Sequence, residues 1–422
     1  MKLLLLLACF ISIWLVRCDA QCSGVETSRT GAVNWTPQWC DEFNGTANTP
    51  IDHTKWTYDT GDSGFGNNEL ETYCDPSSND TPCNSQKPNA RIDGNGHLAI
   101  QVLGPPKSDC THLGTCTSAR LKTHGLRGFN SGRIEARLQI PSHAGLWPAF
   151  WLLGSQPGVS WPKSGESDIM ETWPATSKNA GPGATGNCST LHTQATGDSG
   201  KDGCFTLPNG GRIYDASGHM YGQIWSANMV QYYIDDPDRP YFVVTACDLP
   251  PGDWWPFSSS KNPFFIILNI AVGGTLGDPT DSGTSSQPPM LVDYVRQYLP
   301  STVTTHLSQP SSLALKAGAT TGNTASITIT QARGTGRTAF SCTTTAPNAS
   351  CVVTTGDPMN KYTADFSRAS SVKATVTVTT TANTGSNGTT LGNYVVTVDA
   401  YNVSSSEAAK PSTSKTFKLR VN

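Results

Sequence analysis

Apolar and polar residues alternate through much of the first two thirds of the chain, and a period of two fits β-strands rather than helices. In one such stretch Ile134, Ala136, Leu138 and Ile140 would share a face, with polar residues between them. The segment Phe264–Val272 is an almost continuous apolar run, as expected for a strand covered on both faces. The 40 glycines and 28 prolines supply frequent turns. This pattern predicts an all-β sandwich or barrel.

The composition changes near residue 300. Residues 21–299 are rich in Trp, Gly and Pro, whereas residues 300–422 contain no Trp and are dominated by Thr, Ser and Ala. The second region also alternates, as in residues 326–330 and 393–398. We therefore predict a large β domain in residues 21–299 and a small Ig-like sandwich in residues 300–422, with Cys342 and Cys351 as its disulfide.

The first residues predict export. Lys2 precedes an apolar run over residues 3–16, and the stretch ends at the small residue Ala20. This is the pattern of a signal peptide in residues 1–20, and a retained signal anchor is the alternative. The predicted mature protein is secreted and extracellular, with no membrane span.

Eleven cysteines remain after residue 20, and they include close pairs. In an exported protein such pairs predict disulfides, whereas a zinc site has no Cys-x-x-Cys motif to support it. An odd number leaves at least one thiol free or paired elsewhere. The close pairs are Cys74/Cys83, Cys110/Cys116, Cys188/Cys204 and Cys342/Cys351.

The charge balance excludes some classes of partner. Charged residues make up 14% of the chain and the net charge is −3, against roughly 25% charged residues in an average soluble domain. A strongly basic nucleic-acid binder is excluded, as is a wholly acidic disordered chain. Eleven tryptophans in so weakly charged a chain suggest neutral, ring-shaped ligands such as sugars.

Three acids occur within six positions, at Glu166, Asp168 and Glu171. On a regular strand Glu166 and Asp168 share a face, whereas Glu171 falls on the opposite face. One extra residue in the strand, a β-bulge near Ile169 and Met170, would return Glu171 to the first face. All three acids would then line one cleft.

Three carboxyl groups at close range lose their protons as a coupled set, so one of them stays protonated near neutral pH. Glycoside hydrolysis needs this division, with one carboxylate at the anomeric carbon and one carboxylic acid at the leaving oxygen. A calcium-binding strand or a merely solvated strand fits the spacing equally well, and the spacing alone leaves these alternatives open.

The residues around this strand resemble the laminarinase branch of glycoside hydrolase family 16. That family carries a Glu-x-Asp-x-x-Glu strand with an extra Met, which residues 166–171 match. The resemblance covers about residues 35–299 and follows the family's order. Further matching segments are 41–43 (DEF), 67–70 (NNEL), 132–137 (GRIEAR), 145–154 (GLWPAFWLLG), 269–274 (NIAVGG) and 292–296 (VDYVR).

The resemblance implies a curved β-jelly-roll sandwich of the concanavalin-like type, with an open cleft on its concave face. It implies Glu166 as nucleophile and Glu171 as general acid/base. Asp168 would hydrogen-bond the nucleophile and tune its ionisation. Family members act by double displacement with retention.

The implied activity is that of a secreted endo-β-1,3-glucanase that cuts laminarin-like β-glucan. A mixed-linkage β-1,3-1,4-glucanase and a glucan transglycosylase on the same scaffold are alternatives. A glucan-binding protein without catalysis belongs to a different class, and the presence of all three acids argues against it. We expect a monomer with no required cofactor and no nucleic-acid partner.

The resemblance also implies a set of sugar-contacting residues. Indole rings form good floors for pyranose rings, although each Trp could instead be core, and Trp151 most readily. The His could contact substrate or support the strand, and the loop at 67–69 could be an ordinary polar turn. The implied set is Trp147, Trp151, Trp161, His192, Asn67, Asn68, Glu69 and Arg120.

The sequence departs from the family at several positions. Ser167 replaces an apolar residue, and its hydroxyl would need a partner on the opposite face. Residues 275–276 (TL) follow the two glycines where the family often has a Trp, and Trp254 or Trp255 could replace that platform. Asp293 aligns with a residue that helps to hold a structural calcium ion in some relatives.

Overall fold

The structure is a computed structural model. The predicted signal peptide, residues 1–20, lies outside the described residues. Within the described residues, no helix has the length and apolar character needed to cross a bilayer. The described residues are 26–27, 34–105, 110–174, 181–250, 253–258, 261–277, 279–300, 304–333, 337–366, 369–383, 387–401 and 413–422.

The regular secondary structure of the first region is mainly β-strand. In chain order they are β1 (Glu26–Thr27), β2 (Asn34–Asp41), β3 (Thr57–Asp59), β4 (Thr72–Tyr73), β5 (Ala90–Ile92), β6 (Leu98–Ile100), β7 (Thr117–Ser118), β8 (Arg120–Lys122), β9 (Gly132–Gln139), β10 (Leu146–Gly154), β11 (Glu166–Glu171), β12 (Gly186–His192), β13 (Lys201–Thr206), β14 (His219–Ser226), β15 (Met229–Ile234), β16 (Phe242–Thr245), β17 (Phe264–Val272) and β18 (Met290–Pro300).

Helical segments in this region are single turns. The α-helix α1 spans Gly274–Gly277. The 3-10 turns are Gly64–Gly66, Gly183–Thr185, Gly197–Ser199, Pro208–Gly210, Ala246–Asp248, Pro256–Ser258 and Thr284–Ser286.

Two sheets pack face to face in the first region. The nine-stranded sheet has the order β1-β2-β18-β9-β14-β15-β16, with β6 beside β18 and β5 beside β6. The seven-stranded sheet has the order β13-β12-β11-β10-β17-β8-β3. One continuous hydrophobic core lies between them and includes Ile134, Ala136, Leu138, Phe150 and Leu268. The predicted inward face of β9 is therefore confirmed.

Strand β17 shows why an uninterrupted apolar run suits this position. All nine of its residues are buried, between β10 on one side and β8 on the other. Ile266, Leu268 and Ile270 point into the core, where each such side chain contributes about 1.5–3 kcal/mol. Asn269 points to the other face, where its side chain bonds to Trp151 and Tyr73.

The described residues between 304 and 421 form a second, smaller sandwich with its own hydrophobic core. Its sheets have the orders β19-β21-β25-β23 and β20-β27-β26-β22-β24. The predicted boundary at residues 299–300 falls at the end of β18. The strands are β19 (Thr304–Leu307), β20 (Leu313–Leu315), β21 (Thr324–Arg333), β22 (Arg337–Thr344), β23 (Ala349–Thr354), β24 (Thr363–Asp365), β25 (Ser371–Thr380), β26 (Gly392–Tyr401) and β27 (Thr413–Val421).

All four predicted close cysteine pairs form disulfides. They are Cys74–Cys83, Cys110–Cys116, Cys188–Cys204 and Cys342–Cys351. The last of these joins β22 to β23 and so connects the two sheets of the second sandwich. In the part of the chain that the structure describes, Cys247 is a free thiol, as the odd cysteine count required.

The second sandwich packs against β16, the edge strand of the nine-stranded sheet. The Asn360 side chain donates to the Val243 carbonyl at 3.0 Å and to the Asp248 carboxylate at 2.8 Å. Met229, Val243 and Ala339 form a small buried cluster at the same place. An edge strand left open would offer unpaired backbone groups to other chains, so this contact protects it.

We expect Asn360→Ala to lower the free energy of unfolding by about 1–2 kcal/mol, because its hydrogen bonds to Val243 of β16 and to Asp248 of the next turn are lost. Thermal unfolding of the full chain measures this. Asn393→Ala is the control, since Asn393 is exposed on β26. An unchanged melting temperature for Asn360→Ala would show that this contact contributes nothing to stability.

Candidate active site

The register of β11 places the three acids on one face. Asp168 pairs with Thr190 of β12. Glu171 pairs with Cys188, so three steps along β11 match only two along β12. The register against β10 shifts at the same place and leaves Ile169 without a partner. The predicted bulge is therefore present, and it turns Glu171 to the face that bears Asp168. We call this face of the seven-stranded sheet the acid face.

The opposite face of β11 belongs to the core. Ile169 and Met170 are fully buried there. The Ser167 hydroxyl also points inward, where it donates to the Gln223 side chain at 2.6 Å and contacts the Tyr232 hydroxyl at 2.7 Å. The partner that this hydroxyl needed is thus a buried polar pair from the nine-stranded sheet, and Ser167 is remote from the acid face.

His192 lies beside two of the acids. Its Nε2 is 3.2 Å from Asp168 and 4.0 Å from Glu166, and its Nδ1 is 2.9 Å from the Gly197 carbonyl. Burial opposes the imidazolium, but the hydrogen bond to Asp168 and the two nearby carboxylates outweigh burial and raise the pKa of His192 to about 10. A positive charge therefore faces Glu166 and Asp168 at neutral pH.

Glu166 and Asp168 form a tightly coupled pair. Burial raises the pKa of both carboxyl groups, and repulsion between neighbouring carboxylates raises it further. The charge of His192 acts in the opposite direction on both groups. Glu166 also accepts a hydrogen bond from the Trp161 indole, which lowers its pKa.

Glu171 has a different environment. Burial raises the pKa of Glu171 to about 7, and the hydrogen bond from Trp147 offsets part of this rise. The Trp147 indole nitrogen donates to the Glu171 carboxyl at 2.9 Å. The hydrogen-bond donor to Glu171 is thus a neutral indole. Glu166 and Asp168, in contrast, both lie beside the imidazolium of His192. Glu171 is accordingly suited to hold a proton near neutral pH.

The predicted tryptophans occupy three different settings. Trp147 is 8% exposed and contacts Glu171 directly. Trp161 is 42% exposed, and its ring centre lies 5.9 Å from that of His192. Trp151, which was the most plausible core residue of the three, is instead half-buried on the acid face. Its indole nitrogen donates to Asn269 at 2.8 Å.

Arg120 lies at the other end of the acid face, on β8. Its guanidinium stacks over Trp151 at 4.8 Å and over Phe65 at 4.9 Å, and it pairs with Asp59 at 3.1 Å. One face of the Trp151 ring is thus covered by protein. Arg120 is only 9% exposed, so its guanidinium packs on the Trp151 ring and is largely shielded from solvent.

The three residues of the loop at 67–69 differ in exposure. Asn68 is exposed, with a backbone φ of 58°, and Asn67 is half-buried. Glu69 is only 3% exposed, because its carboxylate accepts hydrogen bonds from the Tyr73 hydroxyl at 2.7 Å and from Asn67 at 3.2 Å. This carboxylate is thus enclosed by its own neighbours, and its contact with sugar hydroxyls stays a prediction.

Three residues considered for other roles are also placed by the structure. Trp255 is core, since it is 7% exposed, and its indole nitrogen donates to the Ala227 carbonyl at 2.9 Å. It therefore cannot replace the missing sugar platform, whereas Trp254 is 39% exposed. Asp293 is half-exposed, and Arg137 lies 3.9 Å from its carboxylate. The described residues place no group of three acidic, His or Cys ligands around Asp293.

Sequence reasoning missed the supporting residues. Asn269 bonds to both Trp151 and Tyr73. The side chains of Asn187 and Ser189 hydrogen-bond to the backbone of the bulge itself. The signal available in the sequence was a polar residue inside an apolar or alternating strand, and Asn269 in its apolar run shows that signal best.

Comparisons with known proteins point to one family. A family model described as XgeA-like, catalytic GH16 domain matches residues 115–216. A β-glucanase from Rhodothermus marinus is 33% identical over 287 residues, which cover 66% of this chain and 90% of that protein.

Two solved structures share the fold. An endo-β-1,3-glucanase from Pyrococcus furiosus matches with a TM-score of 0.54 and 32% identity, over 66% of this chain and 98% of that one. A laminarinase from Rhodothermus marinus matches with a TM-score of 0.52 and 32% identity, over 64% of this chain and 99% of that one. The predicted curved β-jelly roll is thus confirmed, and this chain belongs to glycoside hydrolase family 16.

Proposed function

We propose that the chain is a secreted, retaining endo-β-1,3-glucanase that cleaves laminarin-like β-glucan. The bulged strand β11 carries this proposal, because it gathers Glu166, Asp168 and Glu171 on the acid face, opposite the core. The relatives named endo-β-1,3-glucanase and laminarinase support the linkage.

In the first step Glu166 attacks the anomeric carbon and Glu171 gives its proton to the leaving oxygen. In the second step Glu171 removes a proton from water, which then displaces the glycosyl group from Glu166. Glu166 and Glu171 interact electrostatically across the acid face. Loss of the Glu171 proton during the first step is what allows Glu171 to act as base in the second.

The hydrogen-bond donors support this division of roles. Burial and repulsion from Asp168 raise the pKa of Glu166 to about 8, and the imidazolium of His192 and the indole of Trp161 act against this rise, toward the ionised form that a nucleophile requires. Glu171 has the neutral indole of Trp147 as its donor, and its pKa of about 7 leaves it protonated for much of the population near neutral pH. Asp168 lies between them and couples the nucleophile to His192.

Product analysis tests the proposal. We expect purified enzyme to release oligosaccharides from laminarin with retention of configuration, and to act poorly on agarose and xyloglucan. Comparable rates on lichenan would favour the mixed-linkage alternative. Transfer products at high substrate concentration would favour a transglycosylase. Binding of laminarin with no hydrolysis would contradict the proposal.

Export and the remaining partners are part of the same proposal. The pattern of residues 1–20 supports secretion, and we propose a monomer whose partner is the polysaccharide. The two-step reaction needs only carboxyl groups and water, so we propose no required cofactor. A calcium ion at Asp293 would need oxygen ligands beyond the acidic side chains described; a calcium-dependent rise in melting temperature that Asp293→Ala abolishes would support it.

We expect His192→Gln to reduce kcat/KM on laminarin by on the order of tenfold at mildly acidic pH. Loss of the imidazolium raises the pKa of Glu166, so a larger fraction of the nucleophile is protonated and the acidic limb of the pH profile moves to higher pH. His219→Gln is the control, because His219 pairs with Asp235 at 2.7 Å on the nine-stranded sheet. An acidic limb that stays in place would remove His192 from this role.

A further inference from the structure

The bulge in β11 removes part of the backbone pairing of a buried strand. Ile169 has no partner residue on β10 or β12. A buried carbonyl or N–H without a partner costs about 1–3 kcal/mol, so the bulge persists only where other groups supply the hydrogen bonds.

Two side chains, those of Ser189 and Asn187, supply those hydrogen bonds. The Ser189 hydroxyl donates to the Ile169 carbonyl at 2.7 Å, and the Asn187 amide nitrogen lies 3.4 Å from the same oxygen. The Asn187 amide oxygen accepts the backbone N–H of Glu171 at 3.1 Å. The Asn187 side chain therefore holds the backbone on both sides of Met170, within the bulge.

Tyr241 completes the set. The Asn187 amide donates to the Tyr241 hydroxyl at 2.8 Å, and the Tyr241 and Ser189 hydroxyls are 2.6 Å apart. A single orientation satisfies every group: Asn187 donates to Tyr241, Tyr241 donates to Ser189, and Ser189 donates to Ile169. Asn187 is 1% exposed and Ser189 is fully buried, so water does not compete for these bonds.

We propose that Asn187, Ser189 and Tyr241 form a bulge clamp that positions the Glu171 carboxyl as general acid, an inference that rests on the proposed function. If the bulge were lost, β11 would shift by one residue against its neighbours beyond that point. Such a shift exchanges the two faces of a strand. Glu171 would then take the inward position of Met170, which is fully buried. The clamp removes this alternative and fixes the direction of the Glu171 side chain.

Asn187 also begins an Asn-Cys-Ser sequence, which is a formal acceptor motif for N-glycosylation. Its amide is enclosed and fully hydrogen-bonded in the folded chain. A glycan at this position is incompatible with the clamp.

The test compares two substrates that differ in their need for an acid. Laminarin has a poor leaving group and requires protonation, whereas a dinitrophenyl laminarioligosaccharide releases a stable phenolate without it. For Asn187→Ala we expect kcat on laminarin to fall by on the order of 100-fold with KM nearly unchanged, given the usual 10²–10⁴-fold contribution of a general acid. The rapid burst of dinitrophenolate should change by less than about threefold.

Three further variants complete the experiment. Tyr241→Phe removes one hydroxyl and keeps the ring, which packs on Phe205 at 5.1 Å, so we expect a smaller loss with the same substrate dependence. Asn228→Ala removes a buried amide that lies between β14 and β15 and donates to the Phe340 carbonyl of the second sandwich. This variant should have a lower melting temperature but unchanged rates on both substrates. Glu171→Gln should lose more activity on laminarin than Asn187→Ala does, while its dinitrophenolate burst should again change little.

The outcomes separate the clamp from the proposed function. Equal losses on both substrates, or full laminarin activity in Asn187→Ala, would overturn the clamp. If Asn187→Ala fails to fold, Tyr241→Phe decides by the same comparison. If Glu171→Gln loses both reactions equally, the acid role of Glu171 is wrong and the proposed function fails at that residue.

Discussion

Glu166→Gln is expected to lower kcat for laminarin hydrolysis by on the order of 10⁴-fold or more, because the enzyme then has no carboxylate that can attack the anomeric carbon. The amide keeps the size of the side chain and can still accept the Trp161 hydrogen bond, so substrate binding should survive. Reducing-end release measures the first quantity, and calorimetric titration with a laminarin oligosaccharide measures the second.

The shorter variant Glu166→Ala gives a sharper test of the role. Azide that enters the space left by the carboxylate displaces the leaving group directly, and a single displacement on a β-glucan gives an α-glycosyl azide. A β-glycosyl azide, or near-normal hydrolysis by either variant, would show that Glu166 is not the nucleophile.

Glu171→Gln is expected to reduce laminarin hydrolysis by about 10²–10⁴-fold and to change its pH dependence. The general acid must carry a proton, so activity of the natural enzyme should fall as pH rises through the pKa of Glu171, about 7. The amide cannot titrate, so this alkaline limb should disappear in the variant. The kcat/KM profile measures it, because that ratio reports groups of the free enzyme.

Azide again distinguishes the roles. In Glu171→Ala the nucleophile is intact, so azide should attack the glycosyl-enzyme formed from an activated substrate and give a β-glycosyl azide with faster turnover. An alkaline limb that persists unchanged in Glu171→Gln, or an α-glycosyl azide from Glu171→Ala, would assign the acid role elsewhere.

The sequence predicted those features that depend on local pattern. Alternation identified β9, and the apolar run identified β17, because burial of a strand leaves a direct period-two or continuous signal. The cysteine pairs were predictable because each pair is only 6 to 16 residues apart. The spacing of Glu166, Asp168 and Glu171 required a bulge, since no regular strand brings all three to one face.

Features that depend on distant partners were not predictable in the same way. Glu69 reads as part of a polar loop, but Tyr73 accompanies it into the interior and bonds to Asn269, far along the chain. The clamp likewise joins Asn187 and Ser189 to Tyr241, more than 50 residues away in sequence. Neither network has a local signature, because its members meet only when the sheets pair.

The roles of Trp147 and Trp151 illustrate the same limit. Both side chains lie on the acid face, as alternation along β10 requires. Only the structure shows that one indole donates to Glu171 and the other to Asn269. An aromatic residue on a strand does not reveal its hydrogen-bond partner, since that partner belongs to a neighbouring strand.

The central claim is that the bulge sets Glu166 and Glu171 against the same glycosidic bond. A crystal structure of Glu166→Gln with a bound laminarin oligosaccharide measures this directly. We predict the Glu171 carboxyl at about 2.6–3.2 Å from a glycosidic oxygen, with the two carboxyl positions about 5–5.5 Å apart. A Glu171 side chain turned toward the core, or a separation of about 6.5–9.5 Å, would contradict the account.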